Sequence, residues 1–166
     1  CIKRNSVPRH FSVNDIGCGY GGFLKRLKSN FNNDRFSYAG FDLAKSPIEY
    51  CERKYAKKGA YFYSSGTPSE MADYSVMSGT FNYAPDLTVN AWRDYLFTSL
   101  NSIWNLTRRS MIFNLMISEE DKITSQSISY IRKETILNFC QSNFGATYEH
   151  FSSKLPREIT FCVSKT

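Results

Sequence analysis

The sequence contains no long apolar run, and no stretch approaches the roughly 20 apolar residues that a membrane-spanning helix requires. Its first residues, CIKRNS, lead into another polar segment, so a signal peptide is not expected either. From these two absences we expect a cytoplasmic protein with no membrane partner.

Paired cysteines are also missing. The five cysteines are odd in number, widely scattered and without a CxxC spacing, which argues against both a disulfide framework and a structural zinc site. They are Cys1, Cys18, Cys51, Cys140 and Cys162. We expect free thiols in a reducing compartment and no metal centre.

Positive charge is in excess, with a formal net charge of +6, but the basic residues are dispersed. The densest groups are Lys25, Arg26 and Lys28, and the segment 53–58, each at helical spacing. Such spacing is typical of a solvated helix face, so nucleic acid stays an alternative partner and not the favoured one.

Short β-rich runs alternate with amphipathic helical stretches, a pattern that predicts an α/β fold with a parallel sheet covered by helices. We expect strands over 11–16, 36–42, 60–64, 73–78 and 110–117, and helices over 21–30, 46–59, 88–106 and 132–142. The second helix is expected to begin with Ser46 as its cap and Pro47 at its first position. Two final strands, 147–151 and 159–164, have no helix between them, which indicates an antiparallel pair at the sheet edge.

Gly17, Gly19 and Gly21 fall in the turn after the first predicted strand. In a doubly wound sheet this turn lies at the carboxyl ends of the strands, where ligands bind, and glycine lets the backbone approach a ligand closely. Asp15 directly precedes the turn, and Asp42 closes the second strand 21 residues after Gly21. An acidic residue in that place can accept hydrogen bonds from ribose hydroxyls.

Three segments carry a family resemblance. Residues 14–21 (NDIGCGYG) resemble the first motif of class I methyltransferases, residues 40–47 (GFDLAKSP) are similar to the second, and residues 73–82 (DYSVMSGTFN) resemble the fourth-strand motif, in the form seen in small bacterial enzymes often associated with surface-glycan genes. The resemblance covers nearly the whole chain. It implies a Rossmann-like doubly wound, mostly parallel sheet in the order 3-2-1-4-5-7-6, with strand 7 antiparallel.

The resemblance also implies S-adenosylmethionine as the cofactor. The residues expected to bind it are Asp15, Gly17, Cys18, Gly19, Tyr20, Gly21, Asp42, Leu43, Ser65, Gly66, Ser78 and Gly79. Ser65 and Gly66 stand where the family's third motif usually offers an acidic residue for the adenine amino group. We expect one domain over 1–166, from which N-terminal helices of a longer chain are missing.

A dinucleotide is the competing cofactor, because Gly22 completes a GxGxxG pattern with Gly17 and Gly19. Asp15 before the first glycine favours S-adenosylmethionine, since dinucleotide-binding folds usually carry an apolar residue there. The antiparallel pair at the C-terminus agrees with this interpretation.

The methyl acceptor is harder to predict. A hydroxyl acceptor needs a base, and of the two histidines His10 precedes the first strand, so His150 is the predicted catalytic base. Asn82 is the second predicted catalytic residue, since its amide can orient a hydroxylated acceptor, as can that of Asn114. The Asn-Pro-Pro-Tyr signature of amino-methylating relatives is absent at 82–85 (NYAP).

We therefore expect O-methylation of a carbohydrate or another small hydroxylated metabolite, with the polar segment 118–122 as an acceptor loop or a solvated connection. An RNA or nucleotide methyltransferase and a non-catalytic Rossmann-like module are the alternatives. The sequence does not predict an oligomeric state.

Overall fold

The computed structural model describes residues 8–55 and 59–165, which form nine strands and four α-helices. In chain order these are β1 (Phe11–Ile16), α1 (Gly22–Asn30), β2 (Phe36–Asp42), α2 (Lys45–Tyr55), β3 (Ala60–Ser64), β4 (Ala72–Met77), α3 (Val89–Asn105), β5 (Thr107–Ser118), β6 (Lys122–Ile123), β7 (Ser129–Arg132), α4 (Lys133–Asn143), β8 (Thr147–Phe151) and β9 (Glu158–Ser164). One 3₁₀ turn, Asn33–Arg35, precedes β2.

Strand β1 lies inside the sheet, between β2 and β4. Strands β3, β2, β1, β4 and β5 lie side by side and parallel. Beyond β5 the sheet continues through β9, which is antiparallel to β5, and then β8, which is antiparallel to β9. Because β8 and β9 are the sixth and seventh predicted strands, the predicted order 3-2-1-4-5-7-6 with an antiparallel strand 7 is confirmed.

The sequence did not predict β6 and β7. They form a small antiparallel hairpin, and β7 pairs in parallel with only the last two residues of β5, Ile117 and Ser118. Strands of two and four residues are too short to carry a detectable alternation of apolar and polar residues.

The observed start of α2 shows that the predicted capping residue, Ser46, was wrong. The helix begins at Lys45, one residue before the expected cap Ser46, so that Pro47 is its third residue. A proline is tolerated there because the first four N–H groups of a helix have no partner within the helix. The predicted end of this helix at Gly59 cannot be traced from Tyr55, since 56–58 lie outside the described residues.

Each face of the sheet has its own apolar core. On one face, α1 and α2 bury Leu24, Leu27, Ile48 and Cys51 against Phe11, Val13, Tyr38, Phe62, Tyr74 and Val76. On the other, α3 and α4 bury Trp92, Leu96, Leu100, Ile103, Ile136 and Cys140 against Ile16, Met77, Met111, Phe113, Leu115 and Phe161. Thr88 caps α3 by accepting a hydrogen bond from the Ala91 N–H at 3.2 Å.

The four cysteines within the described residues, Cys18, Cys51, Cys140 and Cys162, are free and buried, in agreement with the expected thiols. Cys1 lies outside the described residues. Across 8–55 and 59–165, no helix is both long and apolar enough to cross a membrane.

Candidate functional site: the carboxyl edge of the sheet

The first, second and fourth strands end next to one another. Ile16 at the end of β1 lies beside Phe41 of β2 on one side and beside Met77 of β4 on the other. The connections that follow these three strands therefore meet at one edge of the sheet. This edge is where ligands bind in doubly wound folds.

The glycine loop, residues 17–21, is fastened to the end of β2. The N–H groups of Gly17 and Cys18 both donate to the Phe41 carbonyl oxygen, at 2.7 and 3.0 Å. Gly17, Gly19 and Gly21 have φ values of 72°, 49° and 77°, in the left-handed region that favours glycine. Gly21 then caps α1, and so the loop feeds directly into the helix N-terminus.

Thr80 packs against the start of this loop and was not predicted. Its hydroxyl donates to the Ile16 carbonyl oxygen at 2.6 Å. A Cβ on Gly17 would lie only 2.5 Å from the Thr80 Oγ1 atom. Because of this contact, only glycine fits at position 17. The contact joins residues 63 positions apart in the chain, so no local sequence pattern predicts it.

Asp42 holds two backbone groups with its carboxylate. Its Oδ2 accepts from the Gly19 N–H at 2.9 Å, and its Oδ1 accepts from the Ala44 N–H at 2.9 Å. Each carboxylate oxygen has a further lone pair for an incoming donor. The half-buried side chain thus connects the glycine loop to the start of α2 and can still accept hydrogen bonds from a ligand.

Asp15 lies beneath the loop, and its side chain is 2% exposed. Burial raises the pKa of this carboxyl to about 7, against the lowering effect of a hydrogen bond from the Tyr38 hydroxyl and with a further raising effect from the Asp42 charge. An ordinary aspartate titrates about three pH units lower. The carboxyl can therefore hold or release a proton near neutral pH.

Two thiols and two tyrosines complete the loop's surroundings. The Cys51 thiol donates to the Gly19 carbonyl oxygen at 3.4 Å, and burial raises the pKa of Cys51 to about 11 and that of Cys18 well above its usual range. Both thiols are neutral at physiological pH. Tyr20 is 60% exposed, and its ring meets the Tyr50 ring edge-on with centroids 5.3 Å apart.

Leu43 and Gly66 form a small apolar surface beside Asp42. Leu43 is 72% exposed, and a Cβ on Gly66 would lie 3.3 Å from the Leu43 Cδ2 atom. The hydroxyl of neighbouring Ser65 is used locally, since it donates to the Thr67 carbonyl oxygen at 2.8 Å and accepts from the Thr67 N–H at 3.2 Å. A ring bound here would contact Leu43, with backbone groups as the available polar partners.

Ser78 and Gly79 lie at the same edge, after β4. Both are exposed, and Gly79 has a φ of 75°. The Gly79 N–H donates to the Asn114 Oδ1 atom at 2.6 Å, so the amide of Asn114 supports the turn after β4. Its expected role toward the acceptor stays a prediction.

Asn82 is bonded to three parts of the protein. Its Oδ1 accepts from the Met116 N–H at 3.2 Å, its Nδ2 donates to the Glu158 Oε2 atom at 3.4 Å, and its carbonyl oxygen accepts from the Ser129 N–H at 3.1 Å. These contacts fasten the connection after β4 to β5, β7 and β9. They also bring a carboxylate that the sequence did not predict, Glu158, to the carboxyl end of β5.

His150 lies farther along the sheet. It is directly opposite Thr160 on β9, which is directly opposite Asn114 on β5, so the three form one row across the strands. Two strand spacings of about 4.8 Å separate the His150 and Asn114 backbones by about 10 Å. The exposed imidazole lines a groove of about 480 Å³ between α1 and the sheet, together with Phe23 and Arg26.

The predicted acceptor loop, 118–122, is a folded connection into the β6–β7 hairpin. Asp121 forms an ion pair with Arg93 of α3 at 3.1 Å and accepts from the Arg132 N–H at 2.8 Å. The hairpin and the connection after β4 also bond to each other, since the Ala84 N–H donates to the Ser127 carbonyl oxygen at 2.8 Å. Together, residues 81–84 and 124–129 form a wall along the carboxyl edge of the sheet. No local sequence pattern predicts this wall.

Comparison with known proteins agrees with this geometry. No protein-family model matches the chain. Over 113 residues it is 31% identical to a Mycobacterium tuberculosis protein named "Putative methyltransferase Rv1506c", a match that covers 67% of this chain and 66%, just under two thirds, of that relative.

Solved structures show the same fold. A carbon methyltransferase, CurJ, superposes with a TM-score of 0.71 at 11% identity, over 96% of this chain and 50% of that one. A magnesium protoporphyrin IX methyltransferase from Synechocystis, solved with S-adenosylmethionine bound, superposes with a TM-score of 0.68 at 11% identity, over 98% of this chain and 73% of that one.

The sheet order is that of the Rossmann-like fold of S-adenosylmethionine-dependent methyltransferases. The mycobacterial protein is a relative in sequence, of which this chain spans just under two thirds.

Proposed function

We propose that the chain binds S-adenosylmethionine at the carboxyl edge of the sheet and transfers its methyl group to a hydroxyl oxygen of a carbohydrate or another small hydroxylated acceptor. One observation carries the cofactor part of the proposal. Asp42 accepts a hydrogen bond from the Gly19 N–H at 2.9 Å, while none of the described residues beyond the chain neighbours of Gly19 lies within 4 Å of the position its Cβ would take. The acid after β2 and the open side of the glycine loop thus face the same space.

The residues at this edge fit the parts of the cofactor. The free lone pairs of Asp42 suit ribose hydroxyls, and the exposed Leu43 side chain suits one face of adenine. The buried Asp15 carboxyl beneath the loop suits a cationic ligand above it. Because the Ser65 hydroxyl is already bonded to Thr67, we propose that backbone groups near Gly66 bind the adenine amino group.

When bound, S-adenosylmethionine supplies a methyl group on a positively charged sulfur, which makes the methyl carbon electrophilic. The chain's own task is to align an acceptor oxygen with that carbon and to remove the acceptor proton. We propose His150 as the base, as expected from the sequence. Glu158 is the rival base, since the structure joins it to Asn82 at the carboxyl end of β5.

The acceptor's chemistry is supported by what surrounds the edge. Asn82 and Asn114 bring amide groups there, and Tyr83 and Leu87, on the connection after β4, are 62% and 42% exposed. Polar amides beside exposed apolar surface suit a small hydroxylated molecule. A cytoplasmic location, which the free thiols Cys18 and Cys51 favour, is part of the same proposal.

Isothermal titration calorimetry with S-adenosylmethionine and, separately, with NAD tests the cofactor. We expect saturable binding of S-adenosylmethionine and none of NAD. Binding of NAD alone would favour the dinucleotide interpretation, and a folded chain that binds neither would favour a non-catalytic module. Transfer of a labelled methyl group to a panel of sugars and small alcohols, with amines and thiols as matched controls, then tests the acceptor. Transfer to amines only would contradict O-methylation.

A further inference from the structure

A buried hydrogen bond joins the first two strands below the glycine loop. Asp15 of β1 and Tyr38 of β2 face the same side of the sheet, and the Tyr38 hydroxyl donates to the Asp15 Oδ2 atom. The backbone of Tyr38 lies directly opposite Val13, which is two residues before Asp15 in β1. The Tyr38 side chain therefore extends toward the carboxyl edge of the sheet to reach Asp15. Both side chains are in the interior, at 2% and 1% exposure.

Within 8–55 and 59–165, the titratable groups that interact with this pair are acids. Asp42 at the end of β2 acts on Asp15, and the thiols of Cys18 in the loop and Cys51 on α2 act on Tyr38. Lys54 on α2 acts on the Cys51 thiol, but its amine is fully exposed. Burial and the Asp15 charge raise the pKa of Tyr38 far above its usual value, so its hydroxyl keeps its proton and remains a donor.

We propose that Tyr38 is a positioning residue that holds the Asp15 carboxyl, together with the proton this carboxyl carries, beneath the glycine loop, and that a cationic cofactor releases this proton to solvent when it binds above the loop. The inference rests on the proposed function, because it takes S-adenosylmethionine as the cation. The proton leaves the carboxyl as the ligand's positive charge arrives, so no other reactant is needed.

The direction of the effect follows from the burial of Asp15. With a pKa of about 7, the carboxyl is about half protonated at pH 7 in the empty protein. A nearby positive charge favours the ionised form and lowers this pKa. The affinity for S-adenosylmethionine should therefore rise with pH up to about 7, by as much as tenfold for each pH unit below that value, and level off above it.

Titration calorimetry in pairs of buffers with different ionisation enthalpies counts the protons released on binding. At pH 7 we expect about half a proton for each S-adenosylmethionine bound, because half of the Asp15 carboxyls carry one. S-Adenosylhomocysteine lacks the sulfonium charge and should release fewer. This comparison uses the unmodified chain, so it does not depend on a variant that folds.

Three variants test whether the Asp15 carboxyl is the group that releases the proton. Asp15→Asn should abolish both the release and the pH dependence. Tyr38→Phe should move the pH dependence upward by about one unit or more, because the lost hydrogen bond stabilises the ionised carboxyl. His10→Gln, at an exposed residue before β1, is the matched control and should release the same number of protons as the unmodified chain.

The outcomes separate this inference from the proposed function. Binding of S-adenosylmethionine without proton release between pH 5.5 and 8.5 would overturn the inference and leave the cofactor assignment intact. Release that persists in Asp15→Asn, or an unshifted pH dependence in a folded Tyr38→Phe, would also overturn it. No binding at any pH would overturn both.

Discussion

Thr80 occupies the space that a side chain at Gly17 would need. Its hydroxyl donates to the Ile16 carbonyl oxygen at 2.6 Å, and a Cβ on Gly17 would approach Thr80 Oγ1 to 2.5 Å. The connection after β4 thereby supports the glycine loop from below. Gly19, two residues on, has the same left-handed backbone, but in the part of the chain that the structure describes only its own neighbours lie within 4 Å of the position a Cβ would take.

Gly17→Ala should therefore harm the site more than Gly19→Ala. Both substitutions force alanine into the left-handed region, which costs roughly 1–2 kcal/mol, but only the first also displaces Thr80. We expect a larger loss of unfolding free energy and of S-adenosylmethionine affinity for Gly17→Ala, measured by denaturant unfolding and calorimetry. Adding Thr80→Ala should restore part of the loss. Equal losses for the two glycines would show that the Thr80 contact is unimportant.

Asp42→Asn should weaken binding of S-adenosylmethionine without unfolding the chain. An amide offers one acceptor oxygen where the carboxylate offers two, so either Gly19 or Ala44 loses its partner, and a charge-assisted bond to the cofactor is lost. We expect a cost of about 1.5–3 kcal/mol, roughly 10- to 150-fold in Kd by calorimetry. Asp34→Asn, at an exposed residue of the 3₁₀ turn, is the control and should bind normally.

Two donors share the Phe81 carbonyl oxygen inside the wall. The Trp92 indole N–H donates to it at 3.0 Å and the Ser129 hydroxyl at 2.7 Å. Ser129→Ala or Trp92→Phe alone leaves one donor in place, and each should cost about 1–2 kcal/mol. The double variant leaves a buried oxygen without either partner, so its loss of unfolding free energy should exceed the sum by about 0.5–2 kcal/mol. Simple additivity in denaturant unfolding would contradict this coupling.

His150→Gln should lower turnover by about 100-fold or more and leave the Kd for S-adenosylmethionine unchanged, as expected for loss of a base that does not touch the cofactor. Glu158→Gln is the matched test of the rival carboxylate, which contacts Asn82. Methyl-transfer kinetics and calorimetry on both variants decide between them. Full turnover in His150→Gln combined with a large loss in Glu158→Gln would replace His150 by Glu158.

Binding to RNA should be negligible. Exposed basic residues are present on α1 and α2, including Lys25, Arg26, Arg53 and Lys54, but Lys54 is directed to the Tyr50 hydroxyl at 2.6 Å. We expect no measurable binding of single-stranded RNA in about 50 mM salt by fluorescence anisotropy. Tight binding that falls steeply as salt is raised would favour the RNA methyltransferase alternative.

Local sequence patterns were sufficient to predict most of the strands and helices. The predicted strands and helices agree with the observed bounds to within about three residues wherever these are described, because alternation, helical periodicity and glycine turns are properties of short segments. The predicted start of α2, with Pro47 as its first residue, was wrong by two residues. The sequence favoured a cap at Ser46, whereas Asp42 from the preceding strand end takes the Ala44 N–H, and the helix begins at Lys45.

The sequence thus determined the position of the glycine loop with its two acids, Asp15 and Asp42, and implied the sheet order through its family resemblance. Only the tertiary structure decided what those acids contact, that Thr80 supports Gly17, and that Asn82 meets Glu158. In the sequence, Tyr38 and Asp15 lie 23 positions apart, as do Asp42 and Gly19. Thr80 and Ile16 lie 64 positions apart, and Asn82 and Glu158 lie 76 apart. Such pairs form when strand register and the paths of the connections bring distant segments together, and a one-residue shift in register would turn every side chain of a strand to the other face.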